Sequence, residues 1–233
     1  MAVDLFVLNR AGLQEQIAQA LRERIAAGHY RAGERLNIDA LARDLEVSST
    51  PVREALARLS AERIVEFVPN KGYRVMPPPD AGWLADLFDV RLLFEAYAVR
   101  LGAARRDQAI LRRLEELHRQ MGELTADAAG RRAFATLNRD FHAAIVDSAR
   151  NRVLSRQYEP LSYQYEVALA RATGSRDIAK AVQEHACILD AYHEGDRRTA
   201  EEALRGHLLA AEQRAAAVLN SRAEGAPRRT NKA

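Results

Sequence analysis

One cysteine in 233 residues, Cys187, leaves no partner for an internal disulfide, so the fold must rest on burial alone. No run of about 18 apolar residues occurs, and no basic N-terminal segment leads into an apolar one. Both absences argue against membrane insertion and export, and for a cytoplasmic protein. A charged body is lacking too. The net charge is +3, but Arg222, Arg228, Arg229 and Lys232 against Glu224 supply all of it. Residues 1–220 are therefore neutral overall, basicity is no argument for nucleic acid, and 221–233 reads as a disordered basic tail. No internal repeat is visible. What the chain does have is core material, with 48% hydrophobic residues, enough for one large domain or two smaller ones.

The strongest punctuation is Pro77, Pro78 and Pro79, since three prolines can continue neither a helix nor the interior of a sheet. A linker over 77–80 then separates a domain over 1–76 from one over 81–220. In the first, Leu13, Ile17, Leu21 and Ile25 recur at helical spacing until Gly28. A shorter helix follows, with Ile38, Leu41, Ala42 and Leu45 apolar. The hydroxyls of Ser48, Ser49 and Thr50 suit the cap of a third helix, and Pro51 suits its first turn. That helix buries Val52, Ala55, Leu56 and Leu59. Ile64–Val68 and Tyr73–Met76 are rich in β-branched and aromatic residues, and Pro69-Asn70-Lys71-Gly72 between them carries hairpin chemistry. The pattern is helix, tight turn, helix, wing.

At about 100° per residue, the third helix turns Ser49, Thr50, Arg53 and Ala57 away from its apolar side. Small hydroxyls and one arginine on the first turns of a short helix fit a DNA major groove, and Lys71 at the wing tip can reach a neighbouring groove or backbone. The same pattern, taken residue by residue, also fits a small scaffold with Arg53 as a solvated surface charge.

The assembled stretch is more specific. Gly33-Glu34-Arg35-Leu36, Leu41-Ala42, Val47-Ser48-Ser49-Thr50-Pro51-Val52-Arg53-Glu54-Ala55-Leu56-Ala57-Arg58-Leu59 and Asn70-Lys71-Gly72-Tyr73-Arg74-Val75 resemble the GntR family of bacterial regulators over residues 10–76. The resemblance implies a winged helix-turn-helix in which Arg35, Thr50 and Arg53 contact double-stranded operator DNA and Gly72 lets the wing approach. Ser49 stands where the family commonly has arginine, which implies a different operator preference.

Beyond Ala81 the periodicity is helical throughout: 81–105, 108–124, 131–149, 153–172, 177–194 and 197–219, with Gly130, Gly174 and Gly195 as breaks. The chain is thus mainly α, a winged reader followed by an all-α bundle of about six helices. Three histidines fall on apolar faces of three of these helices. His185 shares a face with Val182, Ile188, Leu189 and Tyr192, and His207 lies among Ala203, Leu204, Ala211 and Val218. His142 follows Asn138 at i, i+4, with both aimed one way. Each could be a hydrogen-bonded core residue. Together they fit one divalent cation, which would satisfy a nitrogen of every ring. Zinc suits the set first, with nickel, manganese and iron as alternatives. Arg91 and Glu95, also i, i+4 on an apolar face, read either as an internal salt bridge or as an arginine fork for a carboxylate.

Asn138-Arg139-Asp140-Phe141-His142, Glu184-His185 and His207 are similar to the metal-binding set of the FadR C-terminal (FCD) effector domain, over residues 81–220. That similarity implies a metal held by Asn138, His142, His185 and His207, with Asn138 in place of the usual aspartate. It also implies a small organic-acid or sugar-acid effector at Arg91, beside Glu95, with Tyr163 and Tyr165 as cavity wall. Six helices rather than seven look like the VanR-type branch. The implied protein is a homodimeric, effector-responsive repressor. The alternative is a metal-dependent hydrolase or isomerase using the three histidines, with Glu184 the nearest acid.

Overall fold

The computed structural model describes residues 5–77, 80–125, 127–172 and 175–225. Pro78 and Pro79 of the expected linker, Gly174, and residues 226–233 of the expected tail lie outside them. The chain forms two compact units, residues 1–78 with 160–171, and residues 79–159 with 172–233.

In the first unit α1 (Leu5–Ala26), α2 (Ile38–Asp44) and α3 (Ser49–Ala61) enclose a core of Ile17, Leu21, Ile25, Leu41, Val52, Leu56 and Leu59. Gly28 ends α1 as expected. At φ +80° it allows His29 N to reach Arg24 O and its own N to reach Ile25 O, which satisfies the terminal carbonyls. Asn37 caps α2, its side chain accepting from Asp39 N and Ala40 N. Ser48 occupies the N-cap position of α3, yet its hydroxyl makes no capping bond.

The wing is larger than the two-stranded hairpin read from the sequence. β2 (Val65–Val68) pairs antiparallel with β3 (Gly72–Val75), and β1 (Arg35–Leu36) pairs with the other edge of β3, in the order β1-β3-β2. Two residues are too few to show alternation, which is why β1 left no trace in the periodicity. Its register sets Arg35 opposite Arg74 and Leu36 opposite Tyr73.

Arg22 is the largest buried polar residue of this unit, 1% exposed. Its Nε and Nη2 donate to Glu62 at 2.8 and 2.6 Å, and Nη1 donates to Gln19 and Glu15. The Tyr163 ring lies 3.7 Å from its guanidinium carbon, a cation–π contact.

The second unit holds α4 (Ala81–Arg105), α5 (Gln108–Gly122), α6 (Ala128–Ser148), α8 (Ser175–Glu194) and α9 (Arg197–Gly225), with α4 packed on α6, α8 and α9. α7 (Arg152–Ala172) contributes its first part here and its second part to the first unit. The division falls at Pro160 inside α7, where the missing N–H interrupts the helical ladder. Asp80, Asp107 and Asp127 cap α4, α5 and α6 through their side chains.

Gly195 ends α8 at φ +74°, as expected. Gly130 does not mark a break: it lies in the first turn of α6, donates to Asp127, and a Cβ there would run into the carbonyl of Thr125. Gly102 on α4 has a similar role, since a Cβ would collide with Ser148 of α6. α9 continues to Gly225, past the Leu219 boundary and into the segment expected to be tail. Among the described residues no helix is long and apolar enough to cross a membrane.

Candidate metal centre and DNA-reading face

The polar residues singled out in the second unit are buried, and Arg91, Glu95 and the three histidines form one connected cluster. Arg91, Glu95 and His185 are 0% exposed, His142 1%, Asn138 2% and His207 3%. α6, α8 and α9 each turn one histidine inward, and the rings converge through the same atom. His142 Nε2 lies 3.1 Å from His207 Nε2, and His185 Nε2 lies 3.2 Å from it. Each separation is short enough for the two nitrogens to share one ion at metal–nitrogen bonds of about 2.0–2.1 Å.

Two of the three rings are held from behind by carboxylates. His142 Nδ1 lies 2.6 Å from Glu95 Oε2, and His207 Nδ1 lies 2.7 Å from Glu184 Oε2. Burial alone would raise the Glu95 pKa, but Arg91, His142 and Tyr158 hold it down to about 2. Glu184 is likewise held at about 2, against desolvation, by hydrogen bonds from His207 and Arg214. Burial pushes His142 down to about 4, His185 well below its ordinary value, and His207 down as well. The acids are therefore ionised and the rings neutral. An ionised carboxylate only accepts, so Nδ1 carries the ring proton in His142 and His207, and both Nε2 atoms present bare lone pairs. Two lone pairs 3.1 Å apart repel unless a cation lies between them. This donor set fits a divalent metal ion.

His185 lacks a comparable support: among the described residues its buried Nδ1 has no hydrogen-bond partner, and the ring stacks on Phe141 at 4.3 Å. Asn138 is one turn before His142, with Nδ2 buried and also without a partner among them. Glu95 was expected at the effector. The structure has it accept from Arg91 Nε at 2.9 Å, from Tyr158 OH at 2.7 Å and from His142, so the salt-bridge reading of the Arg91 and Glu95 pair describes the observed contact.

Tyr163 and Tyr165, expected as cavity wall in the helical domain, belong to the first unit. Helical periodicity gives a residue's face but not the unit its helix segment joins. Tyr158 and Arg214 went unrecognised as parts of this site, and Glu184, named only beside His185, was not expected behind His207. The signal for Glu184 was its place beside His185; for Arg214, its spacing two turns beyond His207. A pocket of about 310 Å³ opens between α5 and α8 against Met121, Leu124, Ile178 and Val182, and none of the expected effector residues lines it.

In the first unit, Thr50, Arg53 and Ala57 are exposed on α3, Ser49 is half-buried, and Val52, Ala55, Leu56 and Leu59 face the core. Lys71 is exposed at the wing turn, where Asn70 and Gly72 take positive φ. β1 places exposed Arg35 beside Gly72, so that a Cβ there would come 3.8 Å from Arg35 Nε.

Two family models match the chain: "Bacterial regulatory proteins, gntR family" over residues 13–75 and "FCD domain" over 86–210. The chain belongs to the GntR family of bacterial regulatory proteins, with an FCD domain behind the reader. It is 30% identical over 205 residues, 87% of this chain and 88% of the other, to a probable D-xylose utilization operon transcriptional repressor from Paenarthrobacter nicotinovorans. It is 34% identical over 145 residues, 60% of this chain and 65% of the other, to the Nta operon transcriptional regulator from Aminobacter aminovorans. The fold is shared with E. coli McbR/YncC, at 22% identity and a TM-score of 0.70, covering 91% of this chain and 98% of that one. The chain is thus a ligand-responsive, DNA-binding transcriptional regulator. The hydrolase alternative is set aside: family and relatives are regulators. Glu184, its candidate base, is occupied by His207 and Arg214.

Proposed function

We propose that the chain is a homodimeric repressor whose helical unit holds a divalent metal, zinc first among candidates, and a small carboxylate effector. His142, His185 and His207 would hold the metal, with the Asn138 amide as a fourth donor, and Arg91 would take the carboxylate. The carrying observation is the buried convergence of three Nε2 atoms, two of them fixed as bare lone pairs. The bound metal would supply a fixed positive charge that attracts an anionic oxygen.

Arg91 supports the effector reading by its charge and burial. An incoming carboxylate would share it with Glu95, which ties effector binding to the His142 support. Thr50 and Arg53 would enter the major groove, with Ser49 at the edge of that face, and Arg35, Lys71 and Gly72 would bring the wing to the adjacent backbone. The effector releases DNA only to the extent that it binds the incompetent arrangement more tightly. The relative from Paenarthrobacter nicotinovorans bears the name of a repressor, and two readers on a dimer match a palindromic operator.

Metal analysis after extensive dialysis tests the reading, together with operator affinity titrated against organic and sugar acids. Near-stoichiometric metal in the wild type, lost in His185→Ala/His207→Ala, supports it. Equal metal content in both proteins rejects the centre, and operator affinity indifferent to every acid rejects the effector class.

A further inference from the structure

Glu184 and His185 are neighbours on α8, and about 100° of helical rotation sends His185 into the cluster and Glu184 towards α9. On α9, His207 and Arg214 are seven residues apart, two turns along one face. Glu184 Oε2 meets His207 Nδ1 at 2.7 Å and accepts from Arg214 Nη2 at 2.8 Å, while Oε1 accepts from Arg214 Nη1 at 2.6 Å. Arg214 thus donates to both oxygens, a bidentate charge-assisted pairing that favours the ionised carboxyl group, and an ionised carboxylate only accepts. The group is therefore a carboxylate, and the proton between it and His207 sits on Nδ1.

Resting on the metal reading above, we propose that Glu184, clamped by Arg214, is a positioning residue that fixes His207 as a metal ligand. It selects the tautomer with Nε2 bare and aims that atom at the Nε2 atoms of His142 and His185. Glu95 stands in the same relation to His142, but it is wholly buried and shared with Arg91 and Tyr158. Glu184 is the one of the two whose side chain reaches solvent, 25% exposed, with Arg214 at 19%. It can be replaced without stranding a charge in the core. Carboxylates behind metal-bound imidazoles typically contribute 10–100-fold to metal affinity. Here the α8–α9 pairing supplies one beside a ligand set in which Asn138 brings no charge of its own.

The test uses the full chain, zinc competed against a chromophoric chelator, and two-bond proton–nitrogen NMR of the histidine rings in the metal-free protein. Glu184→Gln offers His207 an amide that can accept or donate, so the Nε2–H tautomer of His207 should appear and zinc affinity should fall about 10–100-fold. A tautomer unchanged from wild type, with affinity within about twofold, would overturn the proposal and leave Glu184 as a tie between helices. Arg214→Gln, which keeps the carboxylate but frees it, should weaken zinc several-fold. It decides the question by the same criterion if Glu184→Gln does not fold. His185→Ala separates the two levels: if that variant binds zinc like the wild type, the metal reading itself fails.

Discussion

His142 and His207 face one another through their Nε2 atoms at 3.1 Å, each with its Nδ1 on a carboxylate from another helix. The pair joins α6 to α9 through groups that carry no proton between them. Without metal, burial rather than any attraction between them keeps both rings neutral, which makes the stability of the folded chain depend on pH.

That dependence has a sign. His142 sits at about 4 against an ordinary 6.5, chiefly through burial, and His185 and His207 are displaced the same way. Below pH 6.5 the unfolded chain binds protons that the folded chain refuses, so stability falls as pH drops from 6.5 towards 4. Each ring that remains neutral contributes a slope of up to about 1.4 kcal/mol per pH unit in that window. Glu95, held near 2 against 4.5, extends the loss below pH 4.5. Denaturant midpoints of the metal-free protein between pH 7.5 and 4.5 should show the decline, and a level profile would contradict the neutral cluster.

On the reader, Arg53 and Lys71 should fail in different ways. Arg53→Ala should cost about 1–3 kcal/mol and relax preference at one base pair if it reads a guanine edge. Lys71→Ala should weaken all sequences alike and reduce the slope of log affinity on log salt by about one. Titrations at several salt concentrations on operator and random DNA distinguish them. An Arg53→Ala loss equal on both DNAs would make Arg53 a phosphate contact.

Glu62→Ala should destabilise the first unit more than an exposed ion pair would. Arg22 is 1% exposed and directs two of its three nitrogens at Glu62. Removing one partner of a buried pair leaves an uncompensated charge, costing about 3–5 kcal/mol. Gln19 and Glu15 remain on Nη1, which places the expectation at the low end. Chemical denaturation reads this directly, and a cost under about 1 kcal/mol would mean that water reaches Arg22 in the variant.

The sequence by itself determined the elements and their buried faces. Val52, Ala55, Leu56 and Leu59 on α3, and the histidines of α6, α8 and α9, announce their side by 3.6-residue spacing, because burial acts on every turn of a helix. Gly28 and Gly195 announce helix ends because a positive φ suits glycine. Tertiary structure alone decided who meets whom. β1 is too short to show a period and exists only because β3 offers it an edge. Tyr163 and Tyr165 follow α7 past Pro160 into the first unit. Glu95 turns to His142, and Glu184 with Arg214 closes behind His207, since a buried polar group's partner is set by helix packing rather than by its neighbours in sequence. The family models bear out the winged reader and the helical FCD domain, while the partners of the three histidines came from the fold.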